Sequence, residues 1–226
     1  MPSVYPILFT NSSKWLRYAS DLGIRCTNDY FSNHFGTPFF ASIMTTLEQL
    51  VTDEMSSPSA FVGYTNCDLL FHSQLISSLH YIHSQMLEQR LPREVVLMGR
   101  RYNRDASLRD SVEGLDASAI DQFIEKEIQF SDLFITVAQD YFLFSTGTFP
   151  YSSLLDVVIG RNGYDNYLVD YCLTHNITLI DSSHSSTCSD DAQLSNFNAI
   201  PYVTYRTDQF RLLSILISSI HHSPDG

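Results

Sequence analysis

The stretch AFVGYTNCDLLFH, Ala60 to His72, decides how the rest of the chain is read. Ala60, Phe61, Val62, Gly63 and Tyr64 are too short and too apolar a run for an amphipathic surface helix, and Thr65, Asn66, Cys67 and Asp68 break it with turn-forming polar groups. The pattern predicts a buried parallel strand that ends at these polar residues. Open α/β sheets collect ligands outside the carboxyl ends of their strands, so Asn66 and Asp68 are expected to face a crevice. One carboxylate beside a diphosphate suits Mg²⁺ or Mn²⁺, because hard cations take oxygen ligands and neutralise charge on a leaving phosphate. The same two residues also suit an Asx turn or the cap of the next helix.

Composition sets the outer limits. With 226 residues, 44% hydrophobic and 17% charged, the chain is long enough for one sizeable core and reads most simply as a single domain, residues 1–226. Twenty-five acidic against 13 basic residues give a formal charge of −12, which opposes binding to nucleic acid or to an anionic membrane. It suits a protein that recruits a cation before an anionic substrate. Cys26, Cys67, Cys172 and Cys188 are scattered with no C-x-x-C pair, so neither a structural zinc site nor a disulfide framework is indicated. Asn11-Ser12-Ser13 and Asn176-Ile177-Thr178 fit the N-glycosylation triplet, which carries weight only on a secretory route. The sequence shows no signal peptide and no membrane span.

Outward from the opening stretch, strands and helices alternate. Tyr5 to Thr10 reads as a strand, Ser12 to Asp21 as a helix stopped by Gly23, and Ile24 to Cys26 as a short strand. Asn28 to Pro38 is polar and turn-rich. Ile43, Met44, Leu47, Leu50 and Val51 then recur at helical spacing before the Ser56-Ser57-Pro58-Ser59 break. Beyond the central strand, Leu75, Leu79, Ile82 and Met86 mark a helix that ends before Pro92, and Val95 to Met98 form an apolar strand running into Gly99-Arg100-Arg101. A helix follows from Ser118 to Ile128, then strands at Asp132 to Thr136 and Tyr141 to Phe144 flanking Asp140. Gly147 to Gly163, with Pro150, Gly160 and Gly163 around the run Leu154 to Ile159, is expected to be a loop leading onto a pocket. Tyr164, Tyr167, Leu168, Tyr171 and Cys172 share a helix face, and Ile177 to Ile180 is read as a last central strand. Residues 200–226 are expected to be a C-terminal amphipathic helix region, the helix running from Asp208 to His221. The alternation predicts an α/β fold, a mostly parallel sheet with helices on both faces.

The ordered set HFGTPFFAS (His34 to Ser42), GYTNCDLLF (Gly63 to Phe71), LMGRRYN (Leu97 to Asn103), DYFLF (Asp140 to Phe144) and IGRNGYDNYL (Ile159 to Leu168) resembles a family of glycosyltransferase-like proteins with the GT-A, nucleotide-diphospho-sugar transferase fold. The similarity runs from about Tyr5 to Ala199. It implies a metal-dependent transfer of sugar from a nucleotide-sugar donor to an acceptor hydroxyl. Family members carry an N-S-D pattern at the GYTNCDLLF position, equivalent to the DxD metal motif, which transfers to Asn66 as a donor-binding residue and to Asp68 as a metal ligand for Mn²⁺ or Mg²⁺. In GRRYN, Arg100 and Arg101 offer guanidinium forks suited to a donor diphosphate, or equally to surface ion pairs. GRNGYDN occupies the place where inverting enzymes of this fold have an acid after an aromatic residue. The resemblance makes Asp165 the base for the acceptor hydroxyl and lets Arg161 orient it. Read without the resemblance, Asp165 is a first-turn charge favoured by the helix dipole. Asp140 either binds sugar hydroxyls or closes a turn.

The chain also departs from the family. Relatives begin with an additional strand and helix, whereas this sequence starts at what looks like their second strand. Relatives also have a His-Gln pair about ten residues beyond the last strand, where the histidine is a second metal ligand. Asp190 and Asp191 fall at those positions, and Asp190 is a chemically competent oxygen ligand. The alternative to a transferase is thus a non-catalytic GT-A-like binding module.

Overall fold

The computed structural model describes residues 4–54, 61–66, 69–103, 114–135, 137–161, 163–183, 202–204 and 212–217. Ten strands and five α-helices alternate among them: β1 (Val4–Phe9), α1 (Ser13–Asp21), β2 (Arg25–Thr27), α2 (Phe40–Glu54), β3 (Phe61–Asn66), β4 (Leu69–Phe71), α3 (Gln74–Leu87), β5 (Val95–Gly99), β6 (Tyr102–Asn103), α4 (Ala117–Ile128), β7 (Tyr141–Ser145), α5 (Tyr164–Thr174), β8 (Thr178–Asp181), β9 (Tyr202–Thr204) and β10 (Leu212–Ile217). This is an α/β chain.

The opening run is a strand, β3, buried over five of its six residues because both faces of the sheet are covered. Side chains alternate across a strand. Val62 and Tyr64 enter one core with Val96 and Met98 of β5 and Phe142 and Phe144 of β7, whereas Phe61 enters the other with Val95, Leu97, Tyr141 and Leu143. Helix α2 presses Phe40, Ile43, Met44, Leu47 and Val51 into the first core, a set spaced for one helical face, and α5 adds Leu168, Tyr171 and Cys172. On the opposite side α3 supplies Leu75, Leu79 and Ile82. Each such side chain withdrawn from water contributes about 1.5–3 kcal/mol, so these two layers carry most of the fold's stability. Gly63 is required where β3 meets β7, since a Cβ there would lie 2.0 Å from Leu143 Cδ2 and 2.9 Å from the Phe142 carbonyl oxygen.

The main sheet runs in the order β2-β1-β10-β3-β7-β5-β8. It is mixed rather than mostly parallel: β1 with β2 and β5 with β8 pair parallel, but β10 is antiparallel to β1 and β3, and β7 is antiparallel to β3 and β5. Five strands, β2, β1, β3, β5 and β8, point one way. The two reversed strands lie between them and convert four of the six neighbour pairs to antiparallel.

The larger correction is at the C-terminus. Leu212–Ile217, expected within a helix from Asp208 to His221, is strand β10, and the rest of that stretch lies outside the described residues. A short apolar run such as LLSILI does not distinguish a buried helix from a buried strand by periodicity. The sheet decides, because β10 lies between β1 and β3 in register from Val4↔Ile217 to Phe9↔Leu212 on one side and Leu212↔Asn66 to Ile217↔Phe61 on the other. A strand there gives backbone donors and acceptors partners along both edges, which a helix cannot do for β1 and β3. Two smaller differences follow: β8 closes an edge of the sheet instead of lying centrally, and the expected strand Asp132 to Thr136 is described as far as Ile135, where Leu133 forms an isolated bridge with Tyr102.

A second sheet, β4-β9-β6, takes β4 and β6 from the chain just beyond β3 and β5 and its middle strand, β9, from beyond β8, and α4 adjoins it. Asp116 caps α4 by accepting from the Ala119 N–H at 2.8 Å. Asp121 of α4 in turn accepts from the Ser73 N–H at 2.8 Å, so one helix satisfies an orphan donor at the start of another, α3. Among the described residues no helix is long and apolar enough to cross a membrane.

Candidate functional site

The carboxyl ends of β3 and β5 meet the segment entering β7 at Asp140. Its backbone fastens both strands, the carbonyl accepting from the Asn66 N–H at 3.4 Å and the N–H donating to the Gly99 carbonyl at 3.0 Å. Its carboxylate, 2% exposed, takes the Arg101 backbone N–H at 3.1 Å and the Arg101 guanidinium Nη1. Arg101 also donates from Nε to Asn103 Oδ1 at 2.8 Å, and its guanidinium stacks 3.7 Å from the Phe134 ring centroid. These contacts spend Nε and one Nη1 proton. Nη2 has no partner among the described residues.

The preceding residue fastens the other acid. The Gln139 N–H donates to Asp165 Oδ2 at 3.0 Å, and Asn166 Nδ2 lies 3.4 Å from Asp165 Oδ1. Gly163, at φ 90°, turns the chain into α5 in a backbone region closed to most side chains and so delivers Tyr164 and Asp165 to this edge. Tyr164 is the hub of the cluster. Burial pushes its phenol well above the ordinary tyrosine range, the charges of Asp165 and Asp140 push it further, and a hydrogen bond with Tyr64 and the Arg101 charge pull the other way. Tyr64 donates its own hydroxyl proton to Asn66 Oδ1 at 2.8 Å. The two tyrosine rings meet edge to face at 6.2 Å, with Phe40 packed against both.

Four residues singled out from the sequence, Asn66, Arg101, Asp140 and Asp165, thus belong to one polar cluster drawn from β3, the end of β5, the entry to β7 and the start of α5. Arg100 is turned elsewhere. It is buried, gives Nη1 to the Phe134 carbonyl at 3.2 Å, and its backbone N–H donates to Ser183 Oγ at 2.8 Å. Arg161 is exposed and no contact among the described residues links its side chain to Asp165, whose donors are Gln139 and Asn166 instead. Asp68 and Asp190 lie outside the described residues, and among those described no group of three or more His, Cys, Asp or Glu side chains is placed to hold a metal ion. Asp140, engaged by a guanidinium, is not an open ligand.

Tyr64, Tyr164, Gln139 and the serines after β8 join the cluster or its supports without having been site candidates from the sequence. Tyr64 had a signal, since residues two apart on a strand share a face and its hydroxyl was bound to reach Asn66. Ser182 had less: its Oγ donates to the Met98 carbonyl at 2.9 Å and bonds the Tyr141 hydroxyl, a contact that depends on β8 lying beside β5. The Tyr141 ring in turn covers Gly99, where a Cβ would lie 2.4 Å from its hydroxyl. Compared with known proteins, the chain matches no family model, no curated protein and no solved structure.

Proposed function

We propose that this chain is a GT-A-type transferase that seats a nucleotide-sugar donor beyond the carboxyl ends of β3 and β5 and passes the sugar to an acceptor hydroxyl. The observation that carries the reading is the gathering of Asn66, Arg101, Asp140 and Asp165, far apart in sequence, at the edge where open α/β sheets bind ligands. Arg101 suits the diphosphate: Asp140 and Asn103 hold its guanidinium in place while Nη2 stays available as a donor to phosphate oxygen. Asp165 suits the base. A carboxylate has about four acceptor positions and the described contacts occupy two, leaving room for the acceptor hydroxyl. In the reaction the bond from anomeric carbon to phosphate oxygen breaks and the nucleoside diphosphate leaves with the electron pair. The acceptor oxygen bonds to that carbon and its proton passes to Asp165. Asp68 and Asp190 would hold the Mn²⁺ or Mg²⁺ of this reading, which would neutralise charge on the leaving diphosphate.

One observation favours a second reading, a GT-A-like binding module without chemistry. The Gln139 N–H on Asp165 and the Arg101 guanidinium on Asp140 are fastenings that a fold needs whether or not it catalyses. Thermal-shift titration of the intact chain with the common nucleoside diphosphates and their sugars, with and without Mn²⁺, tests the donor site, because a ligand of the native state raises the melting temperature with concentration. A transfer assay with the donors that bind then separates enzyme from module. No shift with any donor overturns the transferase reading and leaves the module with a partner or ligand of another kind.

A further inference from the structure

We infer that Tyr64 is a positioning residue that fixes the Asn66 side-chain amide, turning its nitrogen outward as a hydrogen-bond donor to an oxygen of the ligand. The ligand half of this statement rests on the donor site proposed above; the positioning half does not. An asparagine amide has an accepting end and a donating end, and rotation by half a turn exchanges them with little cost when neither is held. Here the accepting end is held. Tyr64 Oη donates to Asn66 Oδ1 at 2.8 Å, so Nδ2 faces away from Tyr64, and it has no partner among the described residues. Asn66 itself is half-buried at the end of β3, whereas Tyr64 is 1% exposed and clamped between Phe40 and Tyr164.

The clamp matters because a phenol free to swing would not hold an amide. Phe40 meets the Tyr64 ring at 5.9 Å and Tyr164 meets it at 6.2 Å, both near perpendicular, so the ring that carries the hydroxyl is held in place. Tyr164 packs its ring edge to face on Tyr64, and burial beside Asp165 and Asp140 keeps the Tyr164 phenol un-ionised. The result is a neutral aromatic support, from Tyr164 at the start of α5 to Tyr64 on β3, behind the hydrogen bond to Asn66. It gives the site a polarity: a nitrogen donor suits phosphate or sugar oxygens, whereas a flipped amide would turn a carbonyl oxygen toward them and repel them.

Tyr64→Phe tests this because it keeps the ring in its clamp and removes only the hydroxyl. The first readout needs no ligand: the ¹⁵N–¹H signals of the Asn66 side-chain amide, assigned by their loss in Asn66→Ala, are expected to move in Tyr64→Phe. Unchanged signals overturn the proposal. The second is the affinity of the intact chain for nucleoside diphosphates in Mn²⁺. Tyr64→Phe is expected to weaken binding about two- to tenfold, the usual worth of one neutral hydrogen bond. The same change made in Asn66→Ala is expected to add nothing further, and an equal loss in that background overturns action through Asn66. Wild-type protein that binds no nucleoside diphosphate removes the donor-site reading and the ligand half with it, while the amide signal still decides whether Tyr64 positions Asn66.

Discussion

Asp140 grips Arg101 at two points, its carboxylate accepting from both the guanidinium and the backbone N–H of the same residue. Because Asp140 also bonds the ends of β3 and β5 through its backbone, the pair links three strands at the edge where the candidate site lies. Removing the acid leaves a cation and a backbone donor without their acceptor. Breaking a buried pair costs about 3–5 kcal/mol, and the Arg101 side chain, 24% exposed, recovers part of that from water. Asp140→Ala should therefore destabilise by about 2–4 kcal/mol in urea unfolding. A midpoint within error of wild type would reduce the pair to a surface contact.

Gly63→Ala should also destabilise, by about 1–3 kcal/mol or more, because the added carbon meets Leu143 Cδ2 at 2.0 Å and a backbone oxygen at 2.9 Å. The side chain can yield but the carbonyl of Phe142 is held in the β3–β7 ladder. The melting temperature should fall by about 2–4 °C for each kcal/mol lost at this chain length. An unchanged melting temperature would mean that β3 and β7 are further apart than described.

Stability should fall in mild acid through His80 and His83, one turn apart on α3. Burial lowers both imidazoles below the ordinary value of 6.5, and for His80 the neighbouring His83 charge lowers it further. His80 Nε2 and His83 Nδ1 are buried without a partner among the described residues, so a proton added there finds no acceptor. The sign follows from linkage: with folded values below the unfolded one, the unfolded state binds protons first as pH drops. The contribution is complete above the unfolded value of 6.5 and is lost as pH falls through it toward the folded values. A His80→Gln/His83→Gln variant should show a flatter melting temperature between about pH 7 and 5. Parallel curves would refute the assignment.

What was legible in the sequence is what one strand or one helix decides by itself. Phe61 to Tyr64 and Val95 to Met98 are buried strands because an apolar run that short has no polar face to give to water, and Ile43 to Val51 shows its face by spacing alone. The direction and neighbours of strands were not legible, since they depend on which edges remain open when the others have paired. Leu212–Ile217 became a strand for that reason. The site divides in the same way. Asn66 could be found because polar residues interrupt the apolar run there, and Asp165 only through the resemblance of GRNGYDN to a family motif, whereas the choice of Arg101 over Arg100 depends on where Asp140 and Phe134 lie.

Asp165 bears two separable loads, and two substitutions pull them apart. As a fastening, its Oδ2 accepts the Gln139 N–H at 3.0 Å and ties α5 to the segment entering β7. Asparagine keeps an acceptor of the same shape, so Asp165→Asn should melt close to wild type and bind donor normally. Alanine leaves the Gln139 N–H without its acceptor at a site where Asp165 is 9% exposed, and Asp165→Ala should cost about 1–3 kcal/mol. As the proposed base, only the carboxylate takes a proton, so Asp165→Asn should lower transfer about a hundred- to ten-thousandfold while stability and donor affinity hold. Transfer rates and urea midpoints of both variants answer the two questions together. Undiminished transfer in Asp165→Asn, with the stability loss in Asp165→Ala still present, would leave Asp165 as the anchor of α5 and move the chemistry to another group.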